Sequence, residues 1–533
     1  MERAARRHMW TAAFAVFVSG LILWGSAAQA GQLVLKNTSA APITCTVDGW
    51  TLASGWNFDW YIQVPANGAY YVGQNASHVG SDGAPVINWV SCGGLTTRSM
   101  TLKPSSPSQT LVLNGQQTRV LNVALYTYLP TLPTDRFEGL ANYVVQTYQA
   151  ANPQILLNAT LNSDIDTYNF DGLTTLLGPQ GFDVIELDTL YLGYLASSGL
   201  INPAKIVGEA PLPAALPGAT IDGQLYGIPS WLCMDFIYSG NPALKQQATL
   251  AQLLQFFSAT PAGQRPLVGD FNGSWRLPSI YINAYVQTYG YGHIAQATTM
   301  PPDPGVIASL VSLSDTCNLN GADICTNNTV HNLNNASNGA SEQIFATGGA
   351  SADVGFSEQS FYVNLYGPAT PLYVIPTPWG QTPQPLLFQD VFVSSAATCG
   401  PSTPCAADAT AFTTLMTGMA MKNYITQSQD LPAGSPWRTL LVANAGFWNQ
   451  PAVQANPVYQ QVSGVFATAR PFPNTFTAAV QTNMAQSICK SLQASRPAYV
   501  CKTGVAASNV VPLPAAKPKP KPAKPASKQR KAA

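Results

Sequence analysis

The sequence predicts an α/β protein of two lobes, preceded by a small all-β domain. Three observations predict it. Up to about residue 117 the chain carries only short aromatic and β-branched runs separated by Gly, Asn and Pro clusters. From Arg119 onward, strand-like runs alternate with helical periodicities, the pattern of a parallel sheet covered by helices. The remaining length exceeds one ordinary α/β unit and fits two lobes joined by crossovers.

The elements follow in order. Residues 1–30 combine Arg3, Arg6 and Arg7 with the apolar run TAAFAVFVSGLILW and end in Ala28-Gln29-Ala30, which reads as a signal peptide for export. The alternative is an uncleaved anchor, for which the apolar run is short. Residues 31–117 form the all-β domain, built from GQLVLKNTS, PITCTVDGW, NFDWYIQV, GAYYVGQ and VINWVSCGG. Trp56 and Trp60 are read as core in preference to a binding face, and Ser105 to Gln117 as the exit from the domain. Residues 118–510 form the two-lobed body. RVLNVALY is a strand ending at Tyr126, and Asp135 with Glu138 resembles a capping box ahead of a helix with Leu140, Val144 and Tyr148 on one face. QILLNA and DVIEL are further strands, TLYLGYLASSG a helix closed by Gly199, and LAQLLQFFSA another helix. Gly348 to Tyr362 and Gln384 to Val393 look like returning strands and turns. Residues 511–533 form a Pro/Lys/Ala tail, expected to be extended and solvated. In parallel sheets ligands sit beyond the carboxyl ends of the strands, so Tyr126, Tyr128 and Asp188 fall in a candidate cleft.

Composition narrows the function. Charged residues are 9% of the chain, so the surface must be rich in uncharged polar groups. Ten of the 25 basic residues and one of the 25 acids lie in the signal peptide and the tail from Lys517, leaving 15 bases against 24 acids. That mild acidity suits a cationic small ligand and argues against nucleic acid. His78, His293 and His331 are scattered without metal-ligand spacing, and neither a phosphate-cradling loop nor a G-x-S-x-G elbow is present. No metal and no cofactor are expected, and no transmembrane segment after signal cleavage.

Nine cysteines leave a remainder. Nearest-neighbour pairing gives Cys45–Cys92, Cys317–Cys325, Cys399–Cys405 and Cys489–Cys501, although sequence alone does not prove connectivity. Cys233, in GIPSWLC, is left over. An odd cysteine means intermolecular pairing, a buried inert thiol or a reactive one. A reactive thiol needs a base, and no histidine partner or papain-type signature accompanies it. Glu358, in GFSEQSFYV, is a candidate, since a carboxylate among apolar residues has a raised pKa; the competing reading is a cap-like residue at a helix start.

The segments VALYTYLP (Val123 to Pro130), FDVIELDTLYLGYL (Phe182 to Leu195), DGQLYGIPSWLC (Asp222 to Cys233), FNGSW (Phe271 to Trp275) and GFSEQS (Gly355 to Ser360) resemble bacterial thiaminase I, thiamine pyridinylase. The resemblance covers about residues 120 to 500 and implies the two-lobed, periplasmic-binding-protein-like (type II) fold. It implies a transferase in which Cys233 adds to the pyrimidine of thiamine, the thiazole leaves, and an external base such as pyridine, an aromatic amine or a thiol takes its place. Glu358 matches the general base. Tyr126, Tyr128, Tyr168, Asp188 and Asp390 match substrate-binding positions. Phe356 and Phe388 depart from the family, which tends to have tyrosines there, so two hydroxyls are missing from the pocket.

Two other readings stand beside this one. A solute-binding protein would use the same cleft to capture thiamine or a related molecule without turnover, and would have no use for Cys233 with Glu358. A β-rich surface module carrying a decayed enzyme domain is the third. The partners expected are small molecules only. The protein is expected to be a monomer, secreted or periplasmic.

Overall fold

The computed structural model describes residues 33–51, 57–72, 85–98, 102, 108–161, 165, 167–336, 339–367 and 371–501. The expected signal peptide at 1–30, Trp56 and the basic tail at 511–533 lie outside the described residues.

The N-terminal domain is a pair of packed sheets. One has the order Ala69–Val72, Leu33–Asn37, Gln109–Leu113; the other has the order Asn57–Val64, Ile43–Thr51, Pro85–Cys92, Leu95–Thr96. Alternation drives the packing: Phe58, Ile62 and Val64 are buried while Asp59, Tyr61 and Gln63 between them are exposed. Trp60 packs against this core. Cys45 and Cys92 face each other across two neighbouring strands and are disulfide-bonded. Ser105 to Gln117 is not simply an exit: Gln109–Leu113 closes the first sheet by pairing in parallel with Leu33–Asn37, burying Leu111 and Leu113. The polar flanks at Ser108 and Asn114–Gln117 obscured that short alternating strand.

The first lobe of the body is a mixed sheet in the order Leu441–Val442, Ile228–Cys233, Leu386–Ser394, Val184–Asp188, Arg119–Ala124, Ile155–Thr160. The last three strands pair in parallel, as their βαβ pattern requires. Leu386–Ser394 runs antiparallel to both neighbours, because it enters from the other lobe. The second lobe carries the sheet Val268–Gly269, Ala352–Phe356, Asp235–Ser239, Tyr373–Pro376. Among the described residues two crossovers connect the two sheets, and a third passage after Arg470–Pro471 returns the chain to the second lobe, where helix Ala478–Ser495 packs on Arg276–Tyr289 and Pro304–Asp315. Ile228–Cys233 belongs to the first sheet and Asp235–Ser239 to the second, so the chain crosses at Met234; it returns between Tyr373–Pro376 and Leu386–Ser394.

Helix Glu138–Ala151 buries Leu140, Val144 and Tyr148 against the first sheet, but the capping box does not form. Phe137 occupies the cap position with φ 58, and Asp135, two residues early, accepts from the Phe137 N–H at 3.1 Å. The helix Leu250–Ser258 does carry a reciprocal box between Thr249 and Gln252. Cys317–Cys325, Cys399–Cys405 and Cys489–Cys501 are disulfide-bonded, and Cys233 is the free cysteine among the described residues. Among the described residues no helix is long and apolar enough to cross a membrane.

Candidate active site

Both crossovers converge on Cys233. It ends the strand Ile228–Cys233, one residue before the chain leaves the first sheet. Glu358 sits in the turn Ser357–Gln359, which follows the second-lobe strand Ala352–Phe356. The pairing of Asp235 with Phe356 in that lobe brings the turn back over Cys233. The Cys233 thiol donates to Glu358 Oε2 at 3.2 Å, across 125 residues of sequence. The Ser357 hydroxyl donates to the same oxygen at 3.1 Å. Tyr238 holds the turn in place, donating to the carbonyls of Phe356 at 2.6 Å and Ser357 at 3.2 Å.

Burial pushes the Cys233 thiol well above its ordinary range, and the Glu358 charge adds to the effect. Burial also raises Glu358, against the hydrogen bonds from its own backbone, Cys233 and Ser357. The thiol therefore rests neutral beside its acceptor. Glu358 is the carboxylate placed to accept its proton.

The tyrosines and aspartates gather on the first-lobe side. Tyr126 and Tyr128 follow the strand Arg119–Ala124, which ends two residues short of the expected Tyr126. Their rings lie 5.3 Å apart, and Tyr128 stands edge-on to Tyr168 at 5.5 Å. Tyr128 is 45% exposed. The Tyr126 and Tyr168 hydroxyls are 3.5 Å apart, and the Tyr168 hydroxyl donates to Asp188 Oδ2 at 3.4 Å. Asp188 ends its strand and is directly opposite Asp390 in the central strand. Burial lifts Asp188 to about 7. It lifts Asp390 well above the carboxylate range, with the charges of Asp188 and Glu186 as the next causes. These groups feel one another: Asp390 raises Tyr126, Tyr168 and Cys233, after burial in each case.

Phe388 is directly opposite Cys233, and Phe356 stands edge-on to it at 5.7 Å. The Arg276 guanidinium stacks over Phe356 at 4.7 Å and pairs with buried Asp235. Trp275 meets Phe388 at 6.1 Å and Phe472 at 5.3 Å, which extends an aromatic wall beside the thiol. The structure thus gathers Cys233 with Glu358, and Tyr126, Tyr128, Tyr168, Asp188 and Asp390 with one another, around the crossovers. Sequence reasoning passed over Ser357, Glu186, Ser230 and Lys422. The first is legible as a hydroxyl adjoining the glutamate; Lys422 is a lone charge between the apolar positions Met421 and Ile425 of its helix.

No protein-family model matches the chain. Thiaminase-1 of Paenibacillus thiaminolyticus is 27% identical over 297 residues, which are 53% of this chain and 67% of that protein. The chain is similar to thiaminase I. Among solved structures, thiaminase I from Bacillus thiaminolyticus matches with TM-score 0.54 and 21% identity over 70% of this chain and 99% of its own. Clostridium botulinum thiaminase I in complex with thiamin matches with TM-score 0.53 and 17% identity over the same shares. Maltose-bound MalE3 of T. maritima has the same two-lobed fold, with TM-score 0.52 and 14% identity over 70% of this chain and 98% of that one.

Proposed function

We propose that this chain is a thiamine-degrading transferase. It would displace the thiazole of thiamine by an external nucleophile through a covalent Cys233–pyrimidine adduct, with Glu358 as general base. The observation that carries the reading is the Cys233 thiol 3.2 Å from Glu358 at the lobe crossover of a chain similar to thiaminase I. A binding protein has no need of a half-buried thiol held against a half-buried carboxylate.

The chemistry follows from the residues. Glu358 takes the thiol proton as Sγ adds to the electron-poor pyrimidine ring. The ring electrons then expel the thiazole from the bridging methylene, and the cationic thiazolium departs neutral. A pyridine, aromatic amine or thiol adds at the methylene, and Sγ leaves as the ring is restored. Glu358 returns the proton to sulfur. A cationic substrate would draw Asp188 and Asp390, both raised by burial, toward their ionised forms, and tyrosine faces attract it by about 0.5 to 2 kcal/mol each. Double displacement of this kind gives ping-pong kinetics.

The N-terminal signal would deliver the protein to a periplasm or the medium. The domain limits follow the sequence: 31–117 for the β domain and 118–510 for the catalytic body. Purified protein incubated with thiamine and pyridine or aniline is expected to release free thiazole and form the base-exchanged pyrimidine. Thiamine binding without either product would favour solute capture.

A further inference from the structure

A buried lysine lies behind the cleft. Lys422, in the helix Met419–Thr426, is 0% exposed. Its ammonium donates to Ser230 Oγ at 2.6 Å and lies 3.3 Å from the centre of the Trp231 ring. The Ser230 hydroxyl donates in turn to Glu186 Oε1. The other oxygen of Glu186 accepts the backbone N–H of Tyr126 at 3.0 Å. An unbroken relay thus runs from the lysine through a serine and a glutamate to the segment that carries Tyr126 and Tyr128.

The same lysine serves a second carboxylate. Asp390 is opposite Trp231 on one side and Asp188 on the other, and Glu186 lies two residues before Asp188, so these side chains share a sheet face. Asp390 Oδ1 is buried without a hydrogen-bond partner among the described residues. Burial pulls the Lys422 ammonium down, while the charges of Glu186 and Asp390 pull it back up. The other charged groups around this helix point elsewhere: Asp408 pairs with Arg119, Arg438 pairs with Asp430 and donates to the Ile425 carbonyl at the helix end, and Glu209 accepts the Met419 N–H at the helix start. Removing this interior cation would leave Glu186 and Asp390 without the charge that faces them.

We propose that Lys422 is a positioning residue for the cleft. Through Ser230 and Glu186 it fixes the tyrosine segment, and its ammonium, over the Trp231 ring opposite Asp390, offsets negative charge behind Tyr126 and Tyr168. The inference rests on the thiamine-transferase reading, which supplies the cationic substrate these groups receive.

The test compares wild type, Lys422→Met, Lys422→Arg and Ser230→Ala. The readouts are thiamine kinetics across pH and iodoacetamide labelling of Cys233. Lys422→Met is expected to lose about tenfold or more in kcat/KM near neutrality, mostly through KM. Its acid limb should move up by about one pH unit, because Asp390, already raised by burial, loses the charge that pulls it back down. Cys233 labelling should stay near the wild-type rate, and Lys422→Arg should recover activity to within about threefold of wild type by restoring the charge. A superimposable pH profile for Lys422→Met overturns the inference, as does an equal loss at every pH that arginine does not rescue. Should Lys422→Met fail to fold, Ser230→Ala decides: it breaks the relay, and KM is expected to rise about threefold to tenfold. Unchanged Ser230→Ala kinetics overturn the relay. A wild type with no thiamine turnover removes the transferase reading and this inference together; a turning-over wild type with indifferent variants removes the inference alone.

Discussion

Glu342→Gln is the clearest energetic prediction. Glu342 lies in the helix Ala340–Ala346, 0% exposed, and its Oε1 has no hydrogen-bond partner among the described residues. Its other oxygen accepts the Ser341 hydroxyl at 3.0 Å. Burial, together with the nearby charges of Glu358 and Asp270, lifts this carboxyl from 4.5 to about 7. A raised carboxyl favours the folded state only while it is protonated. Below the unfolded value of 4.5 both states hold the proton and there is no penalty. As pH rises toward 7 the unfolded chain releases its proton first, and the folded state is progressively disfavoured. At 1.36 kcal/mol per pH unit the full penalty is about 3 kcal/mol, reached above the folded value. Glutamine has nearly the same shape and no charge. Glu342→Gln is therefore expected to stabilise the protein by about 2 kcal/mol more at pH 8 than at pH 5, measured by urea unfolding at both. An effect independent of pH, or a destabilisation that grows with pH, would refute the reasoning. The charge coupling is reciprocal, so the same variant should also lower the Glu358 pKa.

Three further predictions bear on the site. A thiol count on the unfolded, unreduced protein should give one reactive group, Cys233, and three or more would break the disulfide scheme. The acid limb of kcat/KM should lie above the ordinary carboxylate value of about 4.3, because burial raises Glu358 and activity is lost as pH falls through its raised pKa. A limb at or below that value contradicts the assignment of Glu358. Glu358→Gln, which keeps the shape but takes no proton, should cost about 10² to 10⁴ in kcat with thiamine affinity little changed; near-wild-type turnover in a coupled thiazole-release assay would count against it.

Much of this architecture is legible in the sequence because it rests on local signals. The alternation in NFDWYIQV and the run DVIEL announce their strands, and the spacing of Leu140, Val144 and Tyr148 announces a helix. What escaped depends on the return of the chain from a distant place. The strand Leu386–Ser394 reads as a buried strand, yet nothing in it says that it runs antiparallel between Ile228–Cys233 and Val184–Asp188. That insertion sets Asp390 against Asp188 and Phe388 against Cys233. Gln109–Leu113 was hidden by its polar flanks, and its partner, the first strand of the domain, is equally distant in sequence. Cys233 emerged from the cysteine count alone, whereas Glu358 needed the family resemblance and Lys422 needed coordinates. A lysine in a helix ordinarily faces solvent, and only the packed sheet shows it turned inward to Ser230 and Glu186.

The central claim is that Cys233 is kept free because its sulfur carries out the displacement. The most direct measurement sets wild type beside Cys233→Ser in the thiamine and aniline exchange assay, with thiamine binding followed by calorimetry. The account predicts exchange by the wild type, and no thiazole release by Cys233→Ser at near-wild-type thiamine affinity. Thiazole release by Cys233→Ser at a rate comparable to wild type would contradict it.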